Sequence, residues 1–255
     1  MSVSLKNKVA VITGAGRGIG KAFALRFAKE GAKIFIPDIS LERAQETVKE
    51  IQAMGGEAAA ILCDISDQKS TQKMAKAVLK KYGSVDILIN NAAIYYGLNI
   101  TPWDQWKIED WDRIFSVNVK GTWLVCQAIA PIMLQQKKGK IINIASNIPH
   151  VAAAGMLLPY ACSKSALYTL TQGLARSLGS SGINVNAIAP GYTASEASLA
   201  QKESKTILKI SAEEHAIKRR EEPQDLAGTA VFLASSDADF ITGQIIMVDG
   251  GAVML

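Results

Sequence analysis

The sequence predicts an open, parallel α/β sheet covered by helices on both faces, and three observations predict it. Short β-branched apolar runs alternate with longer stretches of helical period along the whole chain. Several of those runs are apolar on successive residues, as strands buried on both faces are. A glycine-rich turn joins the first run directly to the first helical stretch. With 255 residues, 49% hydrophobic and 20% charged, the chain can bury one large core. Seven prolines, no low-complexity tract and no Gly/Ser-rich linker exclude a disordered or fibrous chain, so residues 1–255 read as a single domain.

The elements follow in order. A first strand at 9–13 (VAVIT) runs into TGAGRGIG, from which a helix at 19–30 emerges, stopped by Gly31. The second strand, 33–37 (KIFIP), precedes a helix at 41–54 stopped by Gly55, and the third, 58–62 (AAAIL), precedes one at 68–80 stopped by Gly83. After the fourth strand at 87–90 comes an insertion holding Tyr95, Tyr96, Trp103 and Trp106, then one long helix at 108–136. Strand 140–145 (KIINIA) is followed by a helix at 159–178 stopped by Gly179, and strand 184–189 by a segment at 192–215 that mixes Lys and Glu on a helical period. A helix at 223–234 and a strand at 244–248 (QIIMV) close the pattern.

Composition removes several functions. The net charge of +5 comes from 28 Lys and Arg dispersed among 23 acids, which is no nucleic-acid surface. Cys63, Cys126 and Cys162 are an odd set without a CxxC pair or histidines at ligand spacing, so reduced thiols and no metal are expected. Apolar stretches such as 151–158 are shorter than the roughly 20 residues of a membrane span, and the opening MSVSLKNK has no apolar core. No membrane partner and a cytoplasmic address are the expectation.

Gly14, Gly18 and Gly20, with Arg17 and Ile19 between them, stand between a buried strand and a helix. Glycines there permit positive φ and close backbone approach, while the free N–H groups and partial positive charge of the helix start suit a pyrophosphate. Asp38, at the end of the second strand, is placed to hold adenosine ribose hydroxyls and repel a 2′-phosphate, which favours NAD; Arg17 pulls the other way. Asp38 or Ser40 can equally cap the following helix. Asp64, followed by Ile65, can accept an adenine amino group or cap the helix that follows.

Tyr160 and Lys164 form YxxxK, an i, i+4 pair on one helical face. A phenol is a poor base at neutral pH, and a fixed ammonium beside it stabilises the phenolate. Ser146, at the carboxyl end of the fifth strand, offers a hydroxyl to the reacting oxygen.

From first strand to last the chain resembles the short-chain dehydrogenase/reductase family. The match includes TGAGRGIG at 13–20, Asp64, NNAA at 90–93, Asn118 in SVNVKG, Ser146, YACSK at 160–164, PG at 190–191 and ITGQIIMVDGG near the end. The resemblance implies a Rossmann fold with strand order 3-2-1-4-5-6-7 and hydride transfer between a nicotinamide and an alcohol or carbonyl. It makes Tyr160 the acid/base, Lys164 the residue that lowers its pKa and binds the nicotinamide ribose, Ser146 the holder of the substrate oxygen, and Asn118 the holder of a relay water. It assigns Asn90 and the backbone at Ala92 to the cofactor pocket, and Pro190 and Gly191 to the turn under the nicotinamide. The carboxamide partner is Thr193 or Ser195. Two departures are visible: Ala93 replaces a frequent glycine, and 13 residues separate Ser146 from Tyr160, one more than usual.

The loop NIPHVAAAGMLLP lines the substrate pocket in the family. Ile148, His150, Tyr96 and Tyr192 are accordingly substrate-contact candidates beside Ser146 and Tyr160, with Tyr95, Trp103 and Trp106 as aromatic walls or plain packing. Segment 192–215 takes the place of a mobile lid, with Leu199, Ile207, Leu208 and Ile210 on its inner face. The expected function is an NAD-dependent dehydrogenase of a small or medium, largely apolar secondary alcohol, reversible and oxidative in the cell. The alternatives are an NADPH-dependent 3-oxoacyl thioester reductase, which Asp38 disfavours, and a dinucleotide-binding regulator without turnover, which an intact Asn118, Ser146, Tyr160 and Lys164 disfavour. Family members mostly form tetramers through the helices at 108–136 and 159–178, so a homotetramer is expected. Val117, Leu124, Ala128 and Ile132 form a stripe that suits another helix or the chain's own sheet.

Overall fold

A computed structural model describes residues 4–95, 97–98, 101–201 and 204–254. Seven strands, β1 (Val9–Ile12), β2 (Lys33–Asp38), β3 (Ala58–Leu62), β4 (Ile87–Asn90), β5 (Gly139–Ile144), β6 (Ile183–Pro190) and β7 (Ile245–Val248), pair in the order β3-β2-β1-β4-β5-β6-β7. Every pairing is parallel. The order reverses at β1, whose Ala10 lies opposite Ile34 on one side and Ile87 on the other, so a crevice opens at the carboxyl ends of β1 and β4.

The period of two along a strand divides the core. Ala10 and Ile12 face a layer with Phe23, Phe27, Ile34, Leu226 and Val231. Val9 and Val11 face the other layer, with Leu88, Val125, Ile129, Met133 and Val185. Helices α1 (Gly18–Lys29), α2 (Leu41–Ala53) and α3 (Gln68–Tyr82) follow the first three strands. Then come α4 (Ile108–Phe115), α5 (Thr122–Gln136), α6 (Leu158–Leu178), α7 (Glu196–Leu199), α8 (Ser204–Glu214) and α9 (Pro223–Ala234). Asp67 caps α3 by accepting from Lys69 and Ser70 N–H groups, and Gly83 ends it in the left-handed conformation at φ 76°.

The expected single helix at 108–136 is continuous but not uniform: between α4 and α5, Ser116–Gly121 widens into a π turn. Such turns recur at functional sites, and this one carries Asn118. By length and composition Ile108–Gln136 is, among the described residues, the one helical run able to cross a membrane, which the short apolar stretches of the sequence did not suggest. Half of its most apolar window is buried inside the protein. Val117, Leu124, Ala128 and Ile132 turn inward, Leu124 buried and the other three packed on the chain's own core; Trp123 is left exposed.

Candidate active site

The turn between β1 and α1 puts Gly14 at φ +66° and Gly18 at φ +59°, where side chains are disfavoured. A Cβ on Gly14 would lie 2.9 Å from Cα of Ala92, and one on Gly20 would lie 2.6 Å from the Gly14 carbonyl oxygen. Ala92 is therefore the floor of the loop. The Thr13 hydroxyl accepts from the N–H groups of Asn91 and Ala92, both at 3.0 Å, and the Asn91 amide donates to the carbonyls of Thr13 and Gly14. Thr13 and Asn91 thus stitch β1 to β4 beneath the cradle, a part that the motifs contained without revealing. Arg17 is the N-terminal flanking residue of α1, and Ile19 packs on the core. The Gly18 N–H, a donor at the helix start, is taken by the Glu196 carboxylate of α7.

Asp38 is buried at 6% exposure, its two oxygens accepting from Gly16 N at 2.9 Å and Ser40 N at 2.8 Å. Capping of α2 falls to the Ser40 hydroxyl, so Asp38 is not the cap. Beside it Arg43 Nε is buried without a hydrogen-bond partner. Asp64 holds the backbone and hydroxyl of Ser66 at 2.8 and 2.7 Å, and the helix that follows is capped by Asp67 instead. Ile65 is buried under Gly121, supporting the π turn. The exposed side chains of Ile39 and Leu62 flank a groove of about 790 Å³ that reaches Asp64. A glycine cradle, a fixed carboxylate and apolar faces beside them fit a dinucleotide. Asn90 is buried farther in, donating to Asn143 Oδ1 at 2.8 Å and Cys126 Sγ at 3.2 Å, so it braces β4 against β5 and α5.

Ser146 follows β5, and Tyr160 and Lys164 project from one face of α6. The phenol of Tyr160 stands beside the Ser146 side chain, whose Oγ accepts from Ile148 N at 3.1 Å. Lys164 Nζ lies 5.7 Å from the centre of the Tyr160 ring and donates to the Ile144 carbonyl at 2.7 Å. Desolvation pushes the Tyr160 phenol up, partly offset by the neighbouring Ser146 hydroxyl, and pulls Lys164 down to about 7. The expected stabilisation of a phenolate by Lys164 is not what dominates here: desolvation opposes both charged forms, and the lysine is anchored to a carbonyl. Asn118 accepts from Ile94 N at 2.7 Å and donates to the Ile94 carbonyl and the Ser163 hydroxyl, both at 3.1 Å. Its side chain ties the loop after β4 to α6.

Past β6, the Pro190 carbonyl accepts from Asn147 N at 2.8 Å. Gly191 N and the Thr193 hydroxyl both donate to Glu221, at 3.0 and 2.5 Å. Thr193 is thus committed to Glu221, while Ser195 sits against the glycine loop, its Cβ 3.4 Å from where a Gly18 Cβ would be. Glu221, at 4% exposure, went unnoticed in the sequence because EE before a proline reads as a solvated helix start. Burial, with Asp249 nearby, raises it to about 7.

Around Tyr160 lies an apolar wall of Ile148, Leu157 and Ala161, with Tyr95, Leu98 and Trp106 packed on it. Tyr95 is 5.1 Å from the Tyr160 ring and 6.4 Å from that of Tyr192, whose hydroxyl donates to Gln201 at 3.2 Å. Tyr96 lies outside the described residues. His150 is exposed and stacked on Tyr168 rather than part of this wall, and Trp103, at 72% exposure, packs on nothing comparable to Trp106. Of the expected inner lid face, Leu208 is buried and Ile207 half-buried, whereas Leu199 and Ile210 are exposed, because α7 and α8 are two short helices rather than one amphipathic run. Arg219 is paired with Asp225, and Lys218 donates to the Glu213 carbonyl.

Many enzymes share a dinucleotide cradle; a half-buried tyrosine beside a serine hydroxyl, with a buried lysine one turn away and that cradle nearby, narrows the class to oxidoreductases that exchange a hydride and a proton with an alcohol or carbonyl. A family model described as enoyl-(acyl carrier protein) reductase matches residues 14–253, and the chain belongs to the short-chain dehydrogenase/reductase family, whose enzymes use a nicotinamide dinucleotide. It is 40% identical to galactitol 2-dehydrogenase from Agrobacterium fabrum, over 97% of this chain and 98% of that enzyme. It is 35% identical to a 3-oxoacyl-(acyl-carrier-protein) reductase from Thermotoga maritima, over 98% and 99%. Among solved structures, 7α-hydroxysteroid dehydrogenase complexed with NADH and 7-oxo glycochenodeoxycholic acid matches with a TM-score of 0.90 and 36% identity, covering 99% of this chain and 97% of that one.

Proposed function

We propose that the chain is an NAD-dependent dehydrogenase moving a hydride between the nicotinamide and a small or medium, largely apolar secondary alcohol or its ketone. The observation that carries this reading is Asp38. Its carboxylate is held by two backbone donors at the end of β2, where a 2′-phosphate would meet a fixed like charge. The wall of Ile148, Leu157 and Tyr95 beside Tyr160 supports an apolar substrate.

When bound, the nicotinamide supplies the hydride acceptor or donor. The chain's own residues handle the oxygen and its proton. In oxidation the Tyr160 phenolate takes the alcohol proton while the Ser146 hydroxyl donates to the same oxygen; in reduction Tyr160 returns that proton to the ketone oxygen. Lys164, one turn from Tyr160, would hold the nicotinamide ribose and lend its charge to the phenol. Asn118, its side chain committed to Ile94 and Ser163, braces the turn beside Tyr160.

Titration of the native chain with NADH and NADPH, read by nicotinamide fluorescence, tests the cofactor choice. Affinity at least about tenfold higher for NADH is expected, the scale of one lost or repelled charge contact. Tighter NADPH would favour the 3-oxoacyl thioester reductase reading, which the buried Arg43 Nε beside Asp38 supports. A rate screen with cyclohexanol, 1-phenylethanol, sorbitol and acetoacetyl-CoA tests the substrate class, and turnover of the polyol or thioester alone would overturn it.

A homotetramer in the cytoplasm completes the proposal. Free, buried Cys63 and Cys126 suit a reducing compartment, and exposed Ile108, Trp111 and Trp123 along α4 and α5 suit a helix from another copy. Sedimentation of a monomer would end the assembly proposal.

A further inference from the structure

We propose that Tyr168 is a positioning residue that aims the Ser146 hydroxyl at Tyr160 by holding the Ser146 carbonyl. The proposal rests on the assignment of Ser146 and Tyr160 above.

The reactive serine sits where the chain leaves the sheet. Ala145 N still donates to Ile188 O at 2.8 Å and Asn147 N to Pro190 O at 2.8 Å, after which Ile148–His150 curls into a 3₁₀ turn. The Ser146 carbonyl lies between these two anchors, in a residue only 8% exposed, and the phenol of Tyr168 donates to it at 2.7 Å. A buried carbonyl needs a donor, and a tyrosine supplies one on a rigid arm with few torsions. That arm is clamped as well, since the His150 ring stacks on it at 5.8 Å and 25°.

Position on α6 makes the contact more than packing. Tyr160, Lys164 and Tyr168 follow at i, i+4 and i+8, on one helical face. The three reach the same short piece of chain: Lys164 donates to the Ile144 carbonyl, Tyr168 to the Ser146 carbonyl, and Tyr160 stands beside the Ser146 side chain. One helix therefore presents the proton-exchanging phenol and fixes its partner serine from the main-chain side. Ile148 N fixes the serine Oγ, and Asn147 Nδ2 ties the next residue to Asp249 at 3.0 Å. Burial and the Asp249 charge push the Tyr168 phenol up to about 12, so it stays protonated and remains a donor.

The test needs no substrate. Tyrosines labelled at Cζ with ¹³C give one signal for each of the six in the chain, and loss of a signal in Tyr160→Phe assigns the one that matters. In the NADH-bound protein, Ser146→Ala is expected to displace the Tyr160 signal by removing the hydroxyl beside the phenol. Tyr168→Phe, which does not touch Tyr160, is expected to displace it in the same direction by at least half as much, and p-aminophenylalanine at 168 to restore most of the wild-type position. A wild-type Tyr160 signal in Tyr168→Phe, with Ser146→Ala displaced, overturns the proposal; no displacement in either overturns the Ser146–Tyr160 assignment instead. If Tyr168→Phe does not fold, the near-isosteric p-aminophenylalanine, a weaker donor, must still give a small displacement in the direction of Ser146→Ala, and none overturns the proposal. In turnover with the best alcohol of the screen, Tyr168→Phe should lower kcat about tenfold and leave KM for NAD unchanged, as loss of orientation does.

Discussion

Tyr160 and Lys164 show how far a spacing can be read. Four residues apart on a helix, they had to share a face, and they do; Ser146 had to stand at a strand end, and it does. What the spacing did not contain is the direction of the electrostatics, because desolvation depends on everything packed around the pair. Tyr168 and Glu221 were illegible for the same reason: a helical tyrosine and an acid before a proline acquire meaning only from the carbonyl and N–H groups that the fold brings to them. At this scale Tyr160→Phe is expected to cut turnover at least about a thousandfold, as loss of the sole acid/base does. NADH affinity should stay within about twofold of wild type, a change of a few tenths of a kcal/mol. Steady-state rates beside a fluorescence titration check both, and near-native turnover would refute the assigned role.

Strands were the most legible elements, each found within two residues of its expected ends, because continuous apolar runs between turn signals leave little choice. The π turn was not legible, since one extra residue per turn leaves the apolar pattern of 108–136 almost unchanged. Nor was the division of the lid into α7 and α8. That division places Glu196 at the first turn of α7, where its carboxylate accepts from Gly18 N at the head of α1. A pyrophosphate bound at that helix start would need the same donor and would have to displace the Glu196 carboxylate. Glu196→Gln keeps the shape and removes the charge; NADH should bind about three- to tenfold more tightly, the range of one helix-terminal charge. Stopped-flow fluorescence should show the gain in association rate, and unchanged binding would mean that the contact is incidental.

Two buried groups set how the whole molecule responds to pH. Glu221 has a folded-state pKa raised from 4.5 to about 7, so the folded chain holds its proton longer, and stability drains away as pH climbs from about 4.5 to 7. Lys164, lowered from 10.5 to about 7, works in the opposite window: the unfolded chain binds the extra proton, and stability returns as pH rises from about 7 toward 10.5. A minimum near neutrality follows. Glu221→Gln should flatten the acid-side slope, worth on the order of 3 kcal/mol at most. Thermal unfolding midpoints at pH 5, 7 and 9 check this, and a slope as steep as wild type between 5 and 7 would exclude Glu221 as its source. One further tie acts over the entire chain. Asp249 receives the side chain of Asn147 from 102 residues upstream and also the N–H groups of Gly251 and Val253. The serine-bearing turn is thus fastened to the end of the last strand by one carboxylate, so a change at residue 249 reaches Ser146 although the two stand far apart in the sequence.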